Sequence, residues 1–219
     1  MMGTFRQWML LIGLLLGFIF VDLWLGSVSI PLGDVLTVLF GGSIENENWQ
    51  NIVLLFRLPR VLTALLVGAG LSVSGLLMQT FFRNPLAGPF VLGISSGASL
   101  VVAFLVLAGS VVPWLFLKST IGVVLAATVG SGIVMILILL VAQKVRDSTV
   151  LLIVGLMFGS LSGAIVGILQ YLSNAEELQT YMIWTFGSLG GVSWNELPLL
   201  GVIVLVGIGL SFFMFKPLN

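Results

Sequence analysis

Residues 121–143 read I-G-V-V-L-A-A-T-V-G-S-G-I-V-M-I-L-I-L-L-V-A-Q, an uncharged run bounded by Lys118 and Lys144. About 20 apolar residues at 1.5 Å each cross a hydrocarbon core of ~30 Å, so the run predicts a membrane-spanning helix. It has no period-two alternation, which sets aside a β-barrel strand. Working outward, five more predominantly apolar stretches follow, uncharged except for Asp22 in the first: 8–25, 61–82, 90–107, 150–172 and 197–215. The uncharged aromatic stretch 178–189 is too short to cross and reads as a half-inserted helix. Arg6 before the first run imitates a secretory signal, but no small-residue cleavage site follows V-D-L-W at 21–24, so the run is kept as a helix. The expected fold is all-α: a polytopic transmembrane bundle of about six spanning helices plus one short half-helix.

Composition agrees. Of 219 residues, 59% are hydrophobic and 7% charged, too few charges to clothe a water-soluble globule. Soluble enzymes, nucleic-acid binders and disordered chains are excluded together. With no His and no Cys, imidazole and thiolate metal sites and Cys nucleophiles have no reagents, so neither a metal nor a cofactor is expected. No phosphate-binding G-x-x-x-x-G-K-[ST] loop occurs, and the chain is not expected to hydrolyse ATP or to be an enzyme.

Orientation follows from Lys and Arg, which collect in cytoplasmic loops. With the N-terminus inside, Arg6, Arg83, Lys144, Arg146 and Lys216 fall on the inner face, and Arg57, Arg60 and Lys118 on the outer, five against three. Both termini are then cytoplasmic. Asp34, Glu45, Glu47, Glu176, Glu177 and Glu196 fall outside, and Asp22, near the outer end of the first helix, is the one acid inside a span. Proton or sodium coupling through mid-span carboxylates is therefore not expected.

Gly155, Gly159, Gly163 and Gly167 recur every four residues and predict a groove in the fifth span against which another helix packs. Shorter series at Gly68 with Ser72, Gly70 with Ser74, and Gly122, Ala126 and Gly130 point the same way. Arg57-Leu58-Pro59-Arg60 places Pro59 in the first turn of the second span, and its restraint on Leu58 predicts an extended approach that presents both arginines outward. Membrane anchoring by snorkelling is the alternative role for the pair. The run N-P-L-A-G-P at 84–89 cannot be regular helix and predicts an ordered inner turn, with a plain connector as the alternative role.

These stretches resemble a known family. R-L-P-R at 57–60, G-A-G-L-S-V-S-G at 68–75, Q-T-F-F-R-N-P-L-A-G-P at 79–89, L-G-I-S-S-G-A-S at 92–99 and W-T-F-G-S-L-G-G at 184–191, with Trp194, are similar to FecCD-type permeases. Those are the membrane subunits of ABC importers for ferric siderophores, haem and cobalamin. The resemblance implies a pathway subunit in the inner membrane of a prokaryote. Its partners would be a second permease subunit, identical or homologous, two cytoplasmic ATPase subunits and an external substrate-binding protein. In that family the R-x-P-R arginines meet glutamates of the binding protein, so Arg57 and Arg60 are the implied docking cations. The N-P-L turn, here Asn84, Pro85 and Leu86, and the loop at Ser148 and Thr149 are implied in an inner gate. The family's ATPase-receiving loop begins past Leu218-Asn219, so 1–219 is expected to be one permease domain truncated at its C-terminus, the N-terminal two-thirds. A secondary transporter not coupled to ATP is the alternative, and it would need the mid-span carboxylates and broken repeat helices missing here.

The charge count makes a direct prediction. Reporters fused after Arg83 and Arg146 report a cytoplasmic location, and reporters at Glu47 and Lys118 an external one. External labelling at Arg146 overturns the orientation.

Overall fold

The structure is a computed structural model that describes residues 2–88, 90–108, 120–145 and 147–213; Pro89, Lys118, Arg146 and Lys216 lie outside the described residues. The described residues are helical and contain no strand. The protein is an all-α bundle. Among the described residues four helices are long and apolar enough to cross a membrane, within Phe5–Trp24, Glu47–Phe82, Ile121–Lys144 and Thr149–Leu172, and only 6 to 22% of each is buried inside the protein. Their apolar side chains face outward, as a lipid solvent requires.

The chain forms two compact units, Met1–Leu71 with Ser188–Phe213, and Ser72–Gly187. In the first, α1 (Met2–Trp24) is followed by α2 (Leu32–Leu39), α3 (Glu47–Asn51) and the start of α4 (Leu58–Phe82). Asp34 lies in the first turn of α2, where a carboxylate suits the positive end of the helix dipole. The helix closes on Gly41 at φ 82°, with Gly42 N–H donating to the Thr37 carbonyl and Gly41 N–H to that of Val38, a pair of hydrogen bonds that satisfies these last carbonyls. Asn46 caps α3 by accepting from the amides of Asn48 and Trp49. Leu23, Ile30, Val35, Val38, Val53 and Val61 form this unit's buried core.

Between α3 and α4 the chain is not extended, contrary to the expectation at Leu58. Ile52–Arg57 is wound as a π-helix, Leu58 has φ −65° and ψ −47°, and the apolar helix is continuous from Glu47 to Phe82. The physical reason is Pro59. It has no N–H and its ring crowds the carbonyl four residues back, and a wider turn just before it relieves both problems without leaving helix.

The second unit holds the rest of α4, then α5 (Ile94–Leu107), α6 (Thr120–Lys144), α7 (Ser148–Leu172) and α8 (Ala175–Phe186). The span expected at 90–107 is shorter than predicted. Residues 90–93 are turn, with Val91 N–H on the Gly88 carbonyl and Gly93 N–H on that of Phe90, leaving α5 14 residues and ~21 Å. In the first unit, the described part of α9 (Leu197–Phe213) has 17 residues, ~26 Å. The short helix expected over 178–189 is α8, 12 residues capped by Asn174 and ended by Gly187 at φ 70°. Only ~18 Å long, it is a half-helix.

Backbones approach most closely where α5 meets α6. A Cβ on Gly97 would lie 2.6 Å from the Gly130 carbonyl oxygen, and one on Gly130 would lie 2.8 Å from the Gly97 carbonyl carbon. No side chain fits between them. The α7 stripe divides: at Gly155 a Cβ would be 2.7 Å from both the Val91 oxygen and the Leu92 Cα, and at Gly159 it would be 3.3 Å from Ser96 Oγ. At Gly163 and Gly167 it would meet open space. Two of the four glycines therefore seat the 91–96 segment, and at the other two an added methyl would meet nothing among the described residues.

Overpacking a filled site costs about 1–3 kcal/mol. Gly97→Ala and Gly130→Ala are expected to lower thermal stability in detergent by that order, while Gly132→Ala, whose new methyl meets open space, does not. Equal behaviour of all three variants would contradict the α5–α6 crossing.

Candidate functional site

Two clusters hold the sequence-predicted site residues. The first belongs to the first unit and centres on Arg57. In the π-wound turn its guanidinium faces the end of α1: Nη1 donates to the carbonyls of Leu23 at 2.9 Å and Trp24 at 2.6 Å, and Nη2 to that of Val28 at 2.5 Å. The last carbonyls of a helix lack partners and carry its negative dipole end, so a guanidinium fork there is both hydrogen-bonded and electrostatically favoured. Gly26 permits the approach, because a Cβ there would sit 2.8 Å from Nη2. Arg57 is 4% exposed. The expectation that it is presented outward is corrected: its charge is turned inward onto backbone carbonyls.

The π turn also frees a carbonyl. Leu58 N–H donates to Val53 rather than Leu54, and the Leu54 oxygen accepts instead from Trp194 Nε1 at 2.8 Å. Trp194 thereby ties the segment before α9 to the start of α4. Ser193 and Glu196 cap α9, the Glu196 carboxylate accepting from the Ser193 amide at 2.9 Å and hydroxyl at 3.1 Å.

Arg60, one turn on, is different. Its Nη2 reaches Asp22 Oδ1 at 2.5 Å and the Asp22 carbonyl at 3.2 Å, and its Nε lies 3.4 Å from Oδ2. The two side chains are 36% and 42% exposed. Arg60 is thus the reachable cation of the pair, and Asp22 is its counter-ion. The sequence showed Asp22 as an isolated acid; nothing in it linked that acid to a residue 38 positions later.

The second cluster lies in the second unit at the N-P-L turn. Helix α4 ends on Arg83 at φ 47°, a left-handed cap unusual for a side-chain-bearing residue, with Asn84 N–H on the Gln79 carbonyl and Arg83 N–H on that of Thr80. Asn84 Oδ1 accepts from Leu86 N–H at 2.9 Å, and Gln79 Nε2 donates to the Pro85 carbonyl at 3.0 Å. The turn is tied together by its own hydrogen bonds. It leaves Leu86 83% exposed and buries Ala87, which shares a core cluster with Leu151 of α7. Ser148 opens α7, its side chain lying outside the described residues, and Thr149 N–H donates to Asp147 Oδ1 at 2.8 Å. The turn and the α7 start therefore rest on one core, and Asp147, absent from the sequence reading, is the helix cap.

Between α5, α7 and α8 lies a recess of about 230 Å³ lined by Ser95, Ser96, Ser99, Ser162 and Tyr181 among others. Burial raises the Tyr181 phenol above its ordinary pKa; it stays protonated and donates to the Ser99 carbonyl at 3.4 Å. Ser162 is buried and its hydroxyl has no protein partner among the described residues. The serines stand on α5 and α7 and Tyr181 on α8, and no spacing in the sequence marks them.

Comparison with known proteins places this geometry. The chain is 37% identical over 212 residues to the hemin transport system permease protein HmuU of Yersinia pestis, covering 94% of this chain and 62% of that protein. It is 38% identical over 174 residues to the vitamin B12 import system permease protein BtuC of Photorhabdus laumondii, covering 74% and 50%. A solved structure described as an inward-facing conformation of a metal-chelate type ABC transporter superposes with a TM-score of 0.75 at 28% identity, over 94% of this chain and 61% of that one. The chain thus spans half to about three-fifths of the length of these relatives. The family model for the FecCD transport family matches residues 14–219, a stretch that includes both the Arg57–Arg60 cluster and the N-P-L turn, and the chain belongs to that family.

Proposed function

We propose that this chain is a non-catalytic pathway subunit of an ATP-driven importer in the inner membrane of a prokaryote. It carries an iron chelate, haem or a corrinoid delivered by an external binding protein. The observation that carries the reading is the family match over 14–219 joined to relatives that are permeases for hemin and vitamin B12. The proposed partners are a second permease subunit, two cytoplasmic ATPases and the binding protein, with 1–219 acting as one permease domain in the bilayer.

Each cluster has a task in this reading. At the outer end Arg60 offers a guanidinium to a carboxylate of the binding protein, which a planar fork grips at two points. Arg57 takes a supporting role, because its donors are already committed to α1. At the inner end Asn84, Pro85 and Leu86, with Ser148 and Thr149, form a gate. The exposed Leu86 is its apolar stop and the Asn84 hydrogen bond its brace. Gly163 and Gly167, open on α7, accept a helix from outside this chain. Energy comes from ATP on the other subunits, since the one carboxylate inside a span, Asp22, is paired with Arg60 rather than held as a proton carrier.

The test is the complete importer reconstituted in lipid, with single cysteines at Asn84, Leu86 and Thr149 in a chain that has no native Cys. A ferric siderophore, haem and cobalamin are offered in parallel. One of them is expected to stimulate ATPase activity and uptake, and the three cysteines to change accessibility with nucleotide state. Stimulation by none of the three refutes the substrate class, and accessibility constant through the ATP cycle refutes the gate.

A further inference from the structure

We propose that Asp22 is a built-in competitor for the docking cation. Its carboxylate holds the edge of Arg60 that a carboxylate of the binding protein would take, so that docking proceeds by exchange of one acid for another. The inference rests on reading Arg60 as a docking residue, and it goes beyond that reading by assigning the acid that regulates it.

The geometry supplies the argument. Asp22 Oδ1 and Oδ2 face Arg60 Nη2 and Nε at 2.5 and 3.4 Å, the two-point grip that any incoming carboxylate would make. Two carboxylates cannot share that edge without repelling each other. Both groups are within reach of solvent, at 36% and 42% exposure, whereas Arg57 at 4% is sealed by three carbonyls. Only the Arg60 contact can exchange. Asp22 is the sole charge in α1 beyond Arg6, and a carboxylate on an apolar helix is costly unless paired, so Arg60 accounts for its tolerance. The pair itself is neutral, so at a distance the cluster with the neighbouring Arg57 carries one net positive charge instead of two. An acidic partner therefore feels a weakened attraction until it is close enough to displace Asp22, which trades on-rate for discrimination.

The experiment uses the assembled permease complex in lipid nanodiscs and the binding protein of the same transport system, with Kd measured at low and high salt. Asp22→Asn keeps an acceptor beside Arg60 and removes the charge. It is expected to tighten association roughly two- to fivefold at low salt, the factor corresponding to one exposed ion pair. The gain shrinks at about 0.5 M salt, where the screening length is only a few ångströms. Asp22→Glu, which keeps the charge, retains the parent affinity. Asp22→Ser is the second neutral variant and tightens association likewise, should Asp22→Asn not assemble. Arg60→Ala weakens association and, combined with Asp22→Asn, removes the gain.

Unchanged or weaker association in the neutral variants, with Arg60→Ala still weakening it, overturns the competitor role and leaves the docking residue standing. No effect of Arg60→Ala overturns the docking reading itself.

Discussion

Two backbone carbonyls at the end of α1 and one in the bend that follows it face one guanidinium, and this part of the first unit is arranged around that contact. Near lipid, a helix end cannot leave its last carbonyls bare, because water is scarce and each unsatisfied group costs several kcal/mol. Arg57 supplies a planar fork of donors that matches the spread of the carbonyls of Leu23, Trp24 and Val28. Its position depends in turn on Pro59, whose missing N–H favours the wider turn at Ile52–Arg57. That turn re-aims Arg57 toward α1 and releases the Leu54 carbonyl to Trp194. One proline thus sets the arginine, the tryptophan and the register of Arg60 beyond them.

Much of the fold was legible because lipid leaves the backbone few choices. The apolar runs located the helices, and the twelve-residue limit identified α8 as a half-helix. The misreadings have physical causes. The rule that a residue before proline avoids the helical region predicted an extended Leu58, and it failed because a π turn evades the clash that the rule describes. Phe90–Gly93 was apolar enough to pass for helix, yet its turn is fixed by Gly93 at φ 74°, where a Cβ would press on the Gly155 carbonyl. Arg57 carried a charge that looked outward, because its partners lie about thirty residues upstream and are carbonyls, which no side-chain pattern reveals. Four-residue spacing found Gly155, Gly159 and Gly130, but the tightest crossing also needed Gly97, whose four-residue neighbour Gly93 was not read as part of a series.

The two candidate clusters differ in how the sequence exposed them. The N-P-L turn is local: Asn84 bonds Leu86 and Gln79 bonds Pro85, so proline and asparagine rules sufficed to predict its order. The arginine cluster joins Asp22, Arg57, Arg60 and Trp194 across most of the chain. That also separates their tasks. Arg57 and Trp194 are consumed by backbone and hold the scaffold, while Arg60 and Asp22 remain partly exposed and can exchange partners. A motif of two arginines three apart therefore divides into one structural and one addressable charge.

The central claim is that Arg57 organises the end of α1, and hydrogen exchange tests it most directly. Lysine at this position places three donors on one nitrogen and cannot span three separated carbonyls. In Arg57→Lys, protein in lipid nanodiscs is expected to lose protection across residues 21–30, including the Leu25 amide bonded to Val21. Loss of charged hydrogen bonds worth about 1.5 kcal/mol or more each corresponds to roughly tenfold faster exchange or greater. Protection of 21–30 unchanged from the parent would contradict the account and leave Arg57 as a bystander to the fold of that end.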